Sequence, residues 1–148
     1  MRPVRWVRLD VGETLVDETR VFATWADVIG VPRFTLAAVM GGMVARGADH
    51  LDTFGLLEDV LGTPPHRDHR AEVEARYGGF RAEDLYPDAL PALAALTATG
   101  YRVAIVANQP AARHEQLVAL GIDPEVMAMS EALGWRSRTR RSSPRPCG

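Results

Sequence analysis

Residues 4–15 read VRWVRLDVGETL, and residues 85–110 read LYPDALPALAALTATGYRVAIVANQP. In the first stretch a run rich in Val, Leu and Trp ends at Asp10-Val11-Gly12, which predicts a β-strand over 4–9 running into a loop. In the second, Leu90, Leu93 and Leu96 share one side of a helix over 88–99, Gly100 stops it, and RVAIVA at 102–107 predicts the next strand. The scheme then repeats. Pro110 suits the first turn of a helix running to Leu120, Gly121 ends that helix, and VMAM at 126–129 predicts a third strand. Strands alternating with helices imply right-handed crossovers and a parallel sheet covered on both faces, so the fold class is α/β. Arg5 and Arg8 fit this poorly, because a strand in the middle of a parallel sheet is apolar on both sides.

Between the two stretches the apolar residues change to helical spacing, as in Val21, Phe22, Trp25, Val28 and Ile29. Gly30 and Pro32 end a first helix, Gly47 a second near 34–46, and Gly62-Thr63-Pro64-Pro65 a third near 51–61; a charged fourth covers 66–77 and stops at Gly78-Gly79. The expected organisation is an α/β core from residues 1–16 and 86–134, a helical insertion over 17–85, and an Arg-rich tail over 135–148.

With 148 residues and 47% hydrophobic content, the chain suffices for one modest domain. It has no apolar run approaching the roughly 20 residues of a membrane span, and no secretion signal opens it, so a cytoplasmic protein without a membrane partner is expected. The single cysteine, Cys147, cannot form an internal disulfide. All 17 basic residues are arginine, which excludes any mechanism needing an amine nucleophile. Residues 1–134 hold 12 Arg against 19 acids, about −7, whereas five Arg crowd into 136–145.

Ligands of open parallel sheets bind beyond the carboxyl ends of the strands. Asp10 and Asn108 fall at such ends, and the helical insertion between them is expected to stand over the same edge as a lid.

DVGETL at 10–15 resembles the first motif of the haloacid-dehalogenase (HAD) superfamily, an apolar strand followed by Asp-x-Asp-x-Thr, and residues 85–110 resemble the helix and strand that carry the second. The insertion matches the helical cap of the subfamily whose cap follows the first motif. The resemblance covers residues 4–134. It implies a Rossmann-like hydrolase in which Asp10 is the nucleophile and forms an aspartyl intermediate. In the phosphatases of this family Mg2+ is held by the Asp10-type carboxylate and by a backbone carbonyl, here that of Gly12. The resemblance further makes Thr14 a brace of the loop, and assigns Asn108 and the backbone at Ala107 to the oxygens of the transferred group. The implied partner is a small phosphorylated or halogenated metabolite.

Two positions depart from that pattern. The second aspartate, which protonates the leaving group and then activates water, is Gly12, and general acid-base assistance is worth roughly a hundred- to ten-thousand-fold in rate. The Ser or Thr expected before Asn108 is Ala107. Impaired turnover is therefore expected. The alternatives are a metal-independent dehalogenase, although that branch usually carries an aromatic residue where Gly12 stands, and a non-catalytic binding protein on a degenerate core. The phosphonate hydrolases need a cap lysine, which this chain lacks.

After SEALG at 130–134 the family continues with Glu, Lys and Pro, whereas this chain reads WRSRTRRSSPRPCG. One choice of codons, read one base earlier from the last base of Gly134, gives Val-Glu-Lys-Pro-Asp-Pro-Ala-Phe-Phe-Ala-Pro-Ala-Leu-Arg, with the lysine of the third motif where Ser137 stands. The tail is thus expected to be an out-of-frame, disordered product rather than a nucleic-acid-binding segment, leaving the chain without the motif-three lysine and the motif-four acids. It would also leave strand one as an unpaired edge.

His66 and His69 mimic metal-ligand spacing but are expected on a solvated helix face. Met40 and Met43 with Gly41 and Gly42 suggest close helix packing, and Phe22 and Trp25 the core of the insertion.

Overall fold

The computed structural model describes residues 5–133. The Arg-rich tail and the reading-frame expectation lie outside the described residues. Among those described the chain forms two compact units, one of residues 5–20 with 78–133, the other Val21–Tyr77.

The first unit is built on three parallel strands, β1 (Trp6–Leu9), β2 (Arg102–Ala107) and β3 (Val126–Met129), in the order β1-β2-β3. Trp6 pairs with Arg102 and Leu9 with Ile105, while Ala104 pairs with Val126 and Ala107 with Met129. The central strand is apolar apart from Arg102, and Val103, Ile105 and Ala107 are buried. β1 is an edge among the described residues, which accounts for Arg8: it is exposed, and Trp6 retains 40% of its surface. The Arg102 guanidinium lies 4.0 Å from the centre of the Trp6 ring and pairs with Glu125, so the rim of the sheet at its amino end is polar and solvated.

Helices α5 (Ala89–Ala98) and α6 (Arg113–Ala119) precede β2 and β3 and end in the same way. Gly100 (φ +85°) and Gly121 (φ +88°) adopt left-handed backbone, and Tyr101 N and Ile122 N donate to Leu96 O and Leu117 O at 3.1 and 2.9 Å. That geometry closes the last helical turn, and a Cβ at either glycine would oppose it. One expectation fails here. Pro110 lies ahead of α6, whose approach is a pair of tight turns with Arg113 N on Pro110 O (3.0 Å) and His114 N on Ala111 O (3.1 Å).

The second unit holds α1 (Thr19–Ile29, beginning in the first unit), α2 (Arg33–Ala45), α3 (Asp52–Leu61) and α4 (His66–Tyr77). Its core gathers Ala26, Ile29, Val31, Leu36, Phe54 and Leu57, with Phe22, Trp25 and Met40 packed against them. His66 is half-buried rather than simply solvated. Its ring stacks on Phe54 at 5.0 Å, and Nδ1 and the backbone N both approach Glu58 Oε1, at 3.2 and 2.9 Å. Gly41 and Gly42 do not mark close packing, since a Cβ added at either would meet open space. No single helix among the described residues is long and apolar enough to cross a membrane.

Candidate active site at the carboxyl ends of the strands

Immediately after β1 the chain folds around one carbonyl. Val11 is fully buried, and its oxygen accepts from the backbone N–H of Thr14 (3.3 Å), Leu15 (2.9 Å) and Val16 (3.1 Å). Glu13 is pressed into left-handed backbone (φ +52°), a conformation costing a residue with a side chain on the order of 1 kcal/mol. The loop is then locked by a returning segment. Val16 bridges Leu85, Tyr86 N donates to Leu15 O (3.0 Å), and Asp17 N donates to Asp84 O (2.8 Å).

Asp84 anchors that segment. Its buried carboxylate accepts from Arg20 Nε (2.8 Å), Arg20 Nη2 (2.5 Å) and Arg81 N (2.8 Å). Burial pushes its pKa up, but the bonds from Arg20 and Arg81 outweigh that and hold it below the ordinary carboxylate value. The Tyr86 hydroxyl donates to Glu13 Oε2 at 2.8 Å, and the adjacent carboxylate pushes the phenol up to about 12.

This scaffold presents the Asp10 side chain, exposed, at the end of β1, where Oδ1 accepts from Val11 N at 2.8 Å. Thr14 is exposed, and its backbone N–H rather than its hydroxyl carries the bond that ties it into the loop. Gly12 is half-buried against an unexpected neighbour. A Cβ built on Gly12 would lie 2.6 Å from Glu18 Cδ and closer still to Glu18 Oε2, so the Glu18 carboxylate occupies the volume a side chain at position 12 would take.

At the end of β2, Ala107 is buried and its carbonyl accepts from Ser130 N at 3.0 Å. Asn108 is exposed, and its Oδ1 accepts from Ser130 Oγ at 2.6 Å. Gln109 reaches the other way, donating from Nε2 to Glu18 Oε1 at 2.7 Å. Glu131 Oε2 accepts from Ala111 N at 2.8 Å. The loops after β1, β2 and β3 are thus stitched together by Glu18, Gln109, Ser130 and Glu131, none of which sequence reasoning singled out. Ser130 was within its reach: it follows β3 directly, as Asp10 follows β1 and Asn108 follows β2.

The rim is rich in carboxylates, with Asp10, Glu13, Asp17, Glu18 and Glu131 on these loops. Among the described residues no group of three or more His, Cys, Asp or Glu is arranged to hold a metal ion by itself. Magnesium does not require one, since it binds through one or two carboxylates and fills its remaining positions with water and substrate phosphate. A donor set of the Asp10 carboxylate and a backbone carbonyl is of that kind.

A parallel α/β sheet with an aspartate directly after its first strand and a helical insertion after that aspartate defines a class of fold, and known proteins carry it. No protein-family model matches the chain. It is 30% identical over 118 residues to a phosphoglycolate phosphatase of Aliivibrio fischeri, a match covering 72% of this chain and 52% of that protein. The chain therefore spans about half the length of this curated relative. Three solved structures are similar in fold: a dehalogenase (TM-score 0.57, 19% identity, 93% of this chain and 67% of that one), a HAD hydrolase of Bacillus subtilis bound to magnesium (0.59, 16%, 91% and 69%), and a hydrolase of Streptococcus pneumoniae (0.55, 15%, 90% and 70%). The fold is that of haloacid-dehalogenase-type hydrolases, and the curated match points to the same superfamily.

Proposed function

We propose that the site serves hydrolysis of a small phosphorylated metabolite through an aspartyl-phosphate on Asp10. The carrying observation is the exposed Asp10 carboxylate at the end of β1, beside a β2 loop that offers the Asn108 carboxamide. Asp10 attacks phosphorus and displaces the alcohol; water then attacks the same phosphorus and releases the carboxylate. Asn108 and the backbone at Ala107 hold the transferred oxygens, and Thr14 belongs to the loop that keeps Asp10 in place. Magnesium, held by Asp10 and the Gly12 carbonyl, would offset the charge that phosphate brings to an acid-rich rim. The relative from Aliivibrio fischeri makes phosphoglycolate the first substrate to test.

Turnover in this chain is proposed to be slow. Gly12 offers no carboxylate, Ala107 no hydroxyl, and the chain has no lysine to offset the charge of Asp10 and phosphate together. Glu18 brings a carboxylate into the space beside Gly12, but from a different part of the loop and bound to Gln109. The assay is phosphate release from an aryl phosphate and from phosphoglycolate, with and without magnesium. Weak metal-dependent turnover abolished by Asp10→Asn is expected; turnover indifferent to Asp10→Asn sinks the reading. A metal-independent dehalogenase, which needs only the Asp10 carboxylate but usually carries an aromatic residue where Gly12 stands, is the alternative that halide release from haloacids would reveal.

A further inference from the structure

We propose that Ser130 is a positioning residue for an oxyanion subsite at Asn108, an inference that rests on the phosphoryl-transfer reading above. A carboxamide has two faces of opposite polarity: its NH2 attracts an anion and its oxygen repels one. Asn108 is exposed. Ser130 Oγ meets Oδ1 at 2.6 Å from the β3 side. When an anion takes the Nδ2 hydrogens, Oδ1 needs a donor on its far side, and the Ser130 hydroxyl supplies it. An alanine there removes that fixed donor, so that solvent satisfies the oxygen in either orientation and the binding one is no longer held.

The backbone around this pair is fixed as well. Ser130 N is tied to Ala107 O at 3.0 Å, and Glu131 holds Ala111 N, so the end of β3 grips the β2 loop on both sides of Asn108. From the β1 side Gln109 is bound to Glu18. The β2 loop is therefore pinned from both neighbours, and Ser130 is the neighbour that touches the amide itself. Preorganised donors of this kind act because they are aimed before the charge arrives.

The test uses the whole chain with inorganic phosphate as the probe, in the presence of magnesium, with affinity measured by calorimetry. One hydrogen bond to an anion-binding group corresponds to roughly a three- to tenfold change in affinity. Ser130→Ala is expected to weaken phosphate binding by about that factor, and Ser130→Thr, which keeps the hydroxyl, to restore it to within about twofold. Asn108→Ala is expected to weaken binding at least as much, with Ser130→Ala adding nothing further in that background. Phosphate affinity that falls with Asn108→Ala but not with Ser130→Ala overturns the inference while leaving the proposed function standing. Equal losses in Ser130→Ala and Ser130→Thr overturn it too, as they mark a packing role. A wild-type chain that binds no phosphate removes the functional reading and this inference together.

Discussion

The contact between Gly12 and the Glu18 carboxylate makes a quantitative demand on stability. Gly12→Ala adds one methyl group, placed 2.6 Å from Glu18 Cδ, well inside van der Waals contact. Overpacking against rigid atoms would cost about 1–3 kcal/mol, but the obstructing atoms are the end of a flexible side chain, which can swing away. What it then forfeits is the 2.7 Å bond from Gln109, a bond to a charged group worth about 1.5–3 kcal/mol when buried. Glu18 and Gln109 are both half-buried, so about 1.5 kcal/mol is the appropriate figure. Against this, Ala in place of Gly lowers the entropy of the unfolded chain, a gain of about 0.4–1 kcal/mol, and Gly12 does not occupy left-handed backbone. Gly12→Ala alone should therefore destabilise by about 1 kcal/mol.

The decisive number is the coupling. With Glu18→Ala in place the obstruction and the Gln109 bond are both gone, so Gly12→Ala should become neutral or stabilising by up to about 1 kcal/mol. A double-mutant cycle in urea unfolding, at pH 7 and with unchanged m, should give a coupling energy of about 1–2 kcal/mol. Additivity within about 0.5 kcal/mol would refute the placement of the Glu18 carboxylate in the space a side chain at position 12 would take.

Two further outcomes follow from buried groups. Asp84 has its pKa depressed by Arg20 and Arg81, so the stability it contributes is complete above the ordinary carboxyl pKa of about 3.9 and is lost as pH falls through the lower folded value. Asp84→Asn should cost about 3 kcal/mol at pH 7 and flatten the acid limb of the urea midpoint against pH; an acid limb unchanged by the substitution would contradict the assignment. Thr53 is fully buried in α3, and its hydroxyl has no hydrogen-bond partner. Thr53→Val, of nearly the same shape, should raise stability by about 1 kcal/mol in thermal or urea unfolding, and a loss of that size would show that the hydroxyl is satisfied.

Much of the fold was legible because its signals are local. RVAIVA and VMAM stand out as short β-rich runs, and Gly100 and Gly121 mark helix ends that need left-handed backbone. Non-local packing was harder to read. Arg8 conflicted with a central strand because neighbouring strands cannot be counted from one strand's composition, and among the described residues β1 lies at an edge. The stretch from Phe34 to Ala45 is apolar nearly all round, so its pattern does not tell which side packs: Leu36 is buried while Phe34 keeps 85% of its surface. The same ambiguity led Gly41 and Gly42 to be read as packing positions. Pro110 fits the first turn of a helix, but it equally fits the turn that precedes one, and here Asn108 and Gln109 are bonded across to neighbouring loops before the helix begins.

The site divides along the same line. Asp10 and Asn108 were accessible to a rule about strand ends, and that rule, applied once more after Met129, reaches Ser130. Glu18 was not accessible to any such rule. Its place beside Gly12 depends on a loop wound around the Val11 carbonyl, on a segment 84–86 that returns from beyond the helical insertion to lock the loop, and on Gln109, 91 residues away. A motif is read position by position, and by that reading a glycine at 12 is the loss of a carboxylate. In three dimensions the glycine is what admits one, because any side chain at 12 would expel Glu18 from the volume it fills. An aspartate introduced at position 12 would therefore displace the Glu18 carboxylate and break its bond from Gln109, exchanging one carboxylate for another rather than adding a second.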